Sequence, residues 1–166
     1  MTRRTLAACA LALILAGCSR GPTPSFHPAP PFSLKDLSGS TVSLESLKGK
    51  VVILDFWATW CGPGISEIPD YASFWRKNQP RGIEVLGVVM ESGEPQEILD
   101  FVREYKIPYP QLLGSDDVRE AFGANQGYPT TYVIDAQGVI RSKTVGSAPN
   151  KFEKLQETAD AALRAR

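Results

Sequence analysis

An α/β sandwich with a mixed central sheet flanked by helices is the fold class this sequence predicts, on three observations. Two segments, Lys50-VVILDFWA and IEVLGVVM, are apolar on both faces over a strand's length, as strands covered on both sides must be. Segments whose apolar residues recur at helical spacing alternate with them. The chain then closes with a third buried strand, TTYVID, a tight turn at Ala136-Gln137-Gly138, the segment VIRSKTV and a last helix from Asn150 to Ala165.

The domain opens with FSLKDLSGSTVSLESLKGK, where Phe32, Leu34, Leu37, Val42 and Leu44 flank the polar SGST. That pattern predicts a small hairpin turned at Ser38-Gly39, followed by a helical turn over Leu44–Leu47. The first buried strand leads directly into Cys61. From Pro63 to Lys77, Ile65, Ile68, Ala72 and Trp75 fall on one helical face, and Pro63 stands near the first turn, where a missing N–H costs nothing. IEVLGVVM, residues 83–90, gives the next strand, and Ile98, Leu99 and Val102 give a helix over Pro95–Tyr105. A short strand over Tyr109–Leu113 and a short helix over Asp116–Phe122 precede TTYVID at 130–135.

At 166 residues, the chain suits one domain with a full core. Its 18 basic and 18 acidic residues are scattered, which leaves no basic face for nucleic acid and no acidic tail. Residues 1–17 read as an export signal: a short positive start at Arg3-Arg4, then an apolar run from Leu6 to Ala16, too short to span a bilayer. The run ends in Leu15-Ala16-Gly17-Cys18, which resembles the lipobox of bacterial lipoproteins, in which the cysteine is acylated and becomes the first residue after cleavage. Residues 18–31 then form a Pro-rich tether holding lipidated Cys18 apart from a domain over 32–166. The one histidine, His27, lies in that tether, which argues against it as a base or ligand.

Cleavage removes Cys9 and lipidation occupies Cys18, so Cys61 is left alone although an extracytoplasmic compartment would permit disulfides. A cysteine between a buried strand and a helix start faces unpaired backbone N–H groups and the positive end of the helix dipole. Both favour the thiolate, the nucleophilic form. Trp60 before it and Gly62-Pro63 after it predict an exposed turn. Asp55 is out of place in VVILDFW: it must be buried or face a water-filled gap, and burial fits it for proton transfer. Glu67, one helical turn beyond Gly64, either lines the same gap or favours the helix start.

Trp60-Cys61-Gly62-Pro63 after DFWAT resembles the active site of thioredoxin-fold thiol-disulfide oxidoreductases, in their TlpA/ResA-like extracytoplasmic branch related to the AhpC/TSA redoxins. Glu67 and Pro69 are similar to that branch's Cys-x-x-Glu-x-Pro continuation, and residues 91–126 resemble its inserted strand and helix. Gly127-Tyr128-Pro129-Thr130-Thr131 looks like its cis-proline loop, which in the family lies against the reactive cysteine and offers backbone groups to a bound peptide. The resemblance implies a thioredoxin-like fold with an N-terminal hairpin, Cys61 as nucleophile, and protein thiols or disulfides as partners. No cofactor is expected. Asp55 matches the buried acid of thioredoxins, which helps deprotonate the second cysteine, and the alternative is a structural acid bonded to the backbone.

In that family a second cysteine stands where this chain has Gly64. The second thiol breaks the mixed disulfide from within; glycine cannot, so release needs an external thiol. Three readings stay open: a one-cysteine redox protein, a catalytically impaired peptide-binding module, or a resolving cysteine lost by one base change. A peroxidatic mechanism is weaker, because Ala58 and Leu54 stand where that chemistry places threonine and proline. Metal binding is weakest, with one usable cysteine and no histidine near it.

Overall fold

A computed structural model describes residues 26–165. The expected signal peptide over 1–17 and the lipidation site Cys18 lie outside the described residues. Eight strands run β1 (His27–Pro28), β2 (Ser33–Lys35), β3 (Thr41–Ser43), β4 (Val51–Trp57), β5 (Ile83–Val89), β6 (Gln111–Leu113), β7 (Thr130–Ile134) and β8 (Val139–Val145). Four helices are α1 (Gly62–Asn78), α2 (Pro95–Glu104), α3 (Asp116–Phe122) and α4 (Lys151–Arg164).

Six strands form one sheet in the order β1-β8-β7-β4-β5-β6, and β2 and β3 make the separate hairpin. β4 pairs parallel with β5 and antiparallel with β7, so the sheet is mixed as the sequence predicts. Every residue of β4 and β5 is buried. Alternation along β4 sends Val51, Ile53 and Trp57 to a core shared with Ile68, Tyr71 and Phe74 of α1, Ile98 of α2 and Leu155, Ala159 and Ala162 of α4. Val52, Leu54 and Phe56 point the other way, into a core with Phe32, Leu34, Leu47 and Phe122. Asp55 therefore belongs to the face that α1, α2 and α4 cover.

The hairpin forms where it is expected: Leu34 pairs with Val42, and Gly39 takes the left-handed conformation (φ 84°) that the turn requires. Its carboxylate anchor is Asp36, whose Oδ1 accepts from the Ser38 and Ser40 amides. The inserted region folds as helix, strand and helix, with Ser115 Oγ capping α3 through the Val118 amide at 3.4 Å.

The expected tether is corrected at its C-terminal end. His27 and Pro28 pair with Ile140 and Val139 of β8, the Ala29 amide donates to the Gly138 carbonyl at 2.8 Å, and Ala29 is buried. The physical reason is β8's open edge, whose unpaired groups accept a short strand, even one carrying a proline at the sheet margin. The Arg141 guanidinium also sits 4.5 Å from the Phe26 ring centroid. His27 itself stays exposed at the sheet edge.

Candidate active site

Cys61 is the N-cap of α1, at the C-terminal end of β4, with extended φ and ψ of −87° and 99° and no side-chain capping bond. Its amide donates to the Ala58 carbonyl at 3.0 Å and its carbonyl accepts the Ile65 amide at 3.0 Å, so the turn is closed on both sides. Pro63 occupies the first turn of the helix, and Pro69 lies inside it. The Cys61 Sγ lies 3.4 Å from the Tyr128 carbonyl oxygen. The Tyr128–Pro129 bond is cis, and Thr130 opens β7, its hydroxyl donating to the Gly127 carbonyl at 2.6 Å.

The expected exposed turn holds for the residues around the cysteine but not for the cysteine itself. Trp60 is 61% exposed and Gly62 and Pro63 are exposed, but Cys61 is only 8% exposed because the Tyr128 loop lies over it. Trp60 is held by its indole N–H, which donates to the Glu91 carbonyl at 2.8 Å, and its ring meets the Tyr128 ring edge-on at 5.9 Å. The two rings, from different parts of the chain, thus meet as one aromatic surface beside the Cys61 turn.

Gly64 is buried in the first turn of α1. A Cβ built there would stand 3.6 Å from the Trp57 Cβ and 3.8 Å from the Cys61 Cβ, both ordinary contacts. Packing therefore does not demand glycine at this position. Among the described residues Cys61 is the one free cysteine.

Beneath the turn lies a buried polar group of five side chains. Asp55 Oδ1 accepts the Thr131 hydroxyl at 2.7 Å and the Tyr71 hydroxyl at 3.0 Å. Glu67 lines this interior: its Oε2 meets Lys151 Nζ at 2.5 Å, with both side chains buried. Lys151 Nζ also lies 5.3 Å from the Tyr71 ring centroid. Burial raises the Asp55 carboxyl from 3.8 to about 6, with the Lys151 charge and the Thr131 and Tyr71 hydrogen bonds opposing the rise. Burial likewise holds the Tyr71 phenol well above its ordinary value, and Asp55 adds to that.

The sequence points to Asp55 and Glu67 but not to Tyr71 or Lys151, and it gives Thr131 only as part of the cis-proline loop. Thr131 is the direct cross-strand partner of Asp55 in the β4–β7 register, a signal that becomes readable only once that pairing is known. Lys151 carries no local mark, since a lysine at a helix start ordinarily faces water.

A family model for the AhpC/TSA family matches residues 26–143. The chain is 38% identical over 125 residues to the thioredoxin-like protein YneN of Bacillus subtilis, covering 74% of this chain and 72% of that protein. It is 33% identical over 121 residues to the thiol-disulfide oxidoreductase ResA of the same organism, covering 72% of this chain and 66% of that protein. A crystal structure of a thioredoxin-family thiol:disulfide interchange protein from Chlorobium tepidum aligns with a TM-score of 0.71 at 31% identity, over 82% of this chain and 95% of that one.

Proposed function

This chain belongs to the AhpC/TSA family, and from that premise we propose that it is a lipid-anchored extracytoplasmic thiol-disulfide exchange protein working through Cys61 alone. The observation that carries this reading is the Cys61 sulfur at a helix start, 3.4 Å from the Tyr128 carbonyl, with Gly64 where a second thiol would complete a pair. The Cys61 thiolate attacks one sulfur of a protein disulfide, the S–S bond breaks, and the other sulfur leaves with the electron pair and takes up a proton. The product is a mixed disulfide between Cys61 and the substrate. An external thiolate then attacks the substrate's sulfur in that bond, and the electron pair returns to Cys61 as thiolate. The two electrons of a net reduction come from external thiols.

Residues around the sulfur have distinct parts in this cycle. Trp60, Gly62 and Pro63 shape the helix start, and Tyr128, Pro129 and Thr130 supply the loop against which a substrate backbone lies. Asp55 and Glu67 lie in the floor; with glycine at 64 there is no second thiol for Asp55 to deprotonate, so its part is to receive the Thr131 and Tyr71 hydrogen bonds and tie β7 to α1. Localisation rests on Leu15-Ala16-Gly17-Cys18, with the lipid on Cys18 placing the domain outside the inner membrane.

The test is capture. The full chain and its Cys61→Ser variant are expressed with the native leader, quenched with acid and alkylating agent, and resolved without reductant. Reductant-sensitive adducts are expected with the native chain and absent from the variant. Adducts of equal amount in both would overturn the reading and favour a non-covalent binding module.

A further inference from the structure

The two rings come from separate loops. Trp60 belongs to the turn between β4 and α1, which is tied to the turn after β5: the Met90 amide donates to the Trp57 carbonyl at 2.8 Å, the Thr59 amide to Ser92 Oγ at 2.9 Å, and the Trp60 indole to the Glu91 carbonyl at 2.8 Å. Tyr128 rides on the loop before β7. Arg119 of α3 lies between them. One of its terminal nitrogens meets Glu91 Oε1 at 2.5 Å and the other meets Asp116 Oδ1 at 3.0 Å. Its guanidinium lies beside the Tyr128 phenol, where it opposes the rise that burial imposes on that hydroxyl. Arg119 and the Tyr128 hydroxyl meet there shielded from solvent. A circuit results: Cys61, Trp60, Glu91, Arg119, Tyr128 and back to Cys61.

Two details mark this circuit as more than surface decoration. Glu91 has a φ of 45°, a left-handed backbone that a non-glycine residue adopts only under constraint. The meeting of Arg119 with the Tyr128 hydroxyl is shielded from solvent, where water does not readily replace a polar contact. The Glu91 side chain is half exposed, so the ion pair is screened and adds little to folding stability. Its effect is geometric: it sets how the two rings meet.

We propose that Arg119 is a positioning residue for substrate at Cys61: by bridging Glu91 and Tyr128 it fixes the edge-on pairing of the Trp60 and Tyr128 rings, the surface along which a peptide segment reaches the sulfur. This rests on the thiol-disulfide exchange reading. The substrate class is a polypeptide rather than a small disulfide, because only a chain long enough to touch both rings senses their pairing.

The experiment uses the full chain in detergent with two probes that share one leaving group, a short peptide with its cysteine blocked as the pyridyl disulfide, and 2-hydroxyethyl pyridyl disulfide. Release of thiopyridone gives a half-saturating concentration and a limiting rate for the peptide, and a second-order rate constant for each probe. Arg119→Met is expected to raise the peptide's half-saturating concentration and to lower the ratio of peptide to small-probe rate constants by roughly fivefold, the upper reach of a screened ion pair. Arg119→Lys should recover most of the loss, and Glu91→Gln should reproduce it. The double variant should be no worse than the weaker single one, because both act through one contact. Salt should carry the native protein toward the Arg119→Met value as the Debye length shrinks to about 3 Å at 1 M.

An unchanged ratio in a variant with a native melting curve overturns the inference. Equal slowing with both probes also overturns it, because Arg119 would then support Cys61 and not the substrate. A native protein that reacts with the small probe but shows no saturation with peptide overturns the inference alone. Failure with both probes overturns the exchange reading, and the inference falls with it.

Discussion

Gly64→Cys converts the one-sulfur site to a two-sulfur site, and the structure sets what it should do. The Cβ position at residue 64 stands 3.8 Å from the Cys61 Cβ, with its closest neighbour, the Trp57 Cβ, at 3.6 Å. Disulfides have Cβ separations of about 3.5 to 4.5 Å, so a bridge fits without backbone movement. The closed loop holds only four residues, 61 to 64, for which chain entropy gives about 2 kcal/mol of stabilisation over the reduced form. Replacing glycine by cysteine inside a helix adds about 0.3 kcal/mol in either redox state, because cysteine is itself a poor helix former. Oxidised Gly64→Cys should therefore melt several degrees above its own reduced form, while the native chain's melting is indifferent to reductant. In insulin reduction driven by dithiothreitol, the variant should turn over and the native chain should be slow, because only the variant resolves its own mixed disulfide. Mass spectrometry reports the bridge as a loss of two hydrogens. The reasoning is refuted if no bridge forms in an oxidising buffer. It is equally refuted if a bridged variant reduces insulin no faster than the native chain.

The buried acid gives a pH prediction with a definite sign. Asp55 rises from 3.8 to about 6 on folding, so between those values the native state holds a proton that the unfolded chain releases. Its contribution is full below about pH 4 and is lost as pH climbs through 6, a difference of about 3 kcal/mol. Denaturant melts of the native chain and Asp55→Asn from pH 4 to 7.5 should diverge by that amount, the native chain losing ground; parallel curves would count against it. Lys151→Met leaves Glu67 buried without its cation and should cost about 3 to 5 kcal/mol, whereas pairing it with Glu67→Gln should recover much of the loss. The same Lys151→Met change removes a charge that holds Asp55 down, so carbon NMR of the Asp55 carboxyl should show its titration moving upward.

Much of this molecule is legible along the chain because its signals are local. Apolar runs of strand length mark β4 and β5, period-3.6 patterning marks α1 and α2, and Gly39 and Gly138, both at positive φ, mark two turns. Cys61 at a strand-to-helix junction, Gly64 in the first helical turn and the oddity of Asp55 in an apolar strand are likewise set by neighbours in sequence. The end of the tether is not legible in the sequence because two residues at a sheet edge carry no periodicity of their own, and only the open side of β8 explains why they pair.

What the tertiary structure alone decided is who faces whom. Glu67 and Lys151 meet from 84 positions apart, and Asp55 and Thr131 from 76. Those meetings depend on strand register and on how α4 packs over the sheet, which no window of sequence contains. The burial of Cys61 under the Tyr128 loop is of the same kind. So is Arg119, an ordinary helical arginine in sequence, which the fold sets between Glu91 and Tyr128 at the mouth of the site. Short-range sterics and hydrophobic patterning suffice to set the elements and to leave Cys61 at a strand-to-helix junction. Only long-range packing, which brings distant charges and rings together in a low-dielectric interior, decided the sulfur's surroundings and the titration of the acid beneath it.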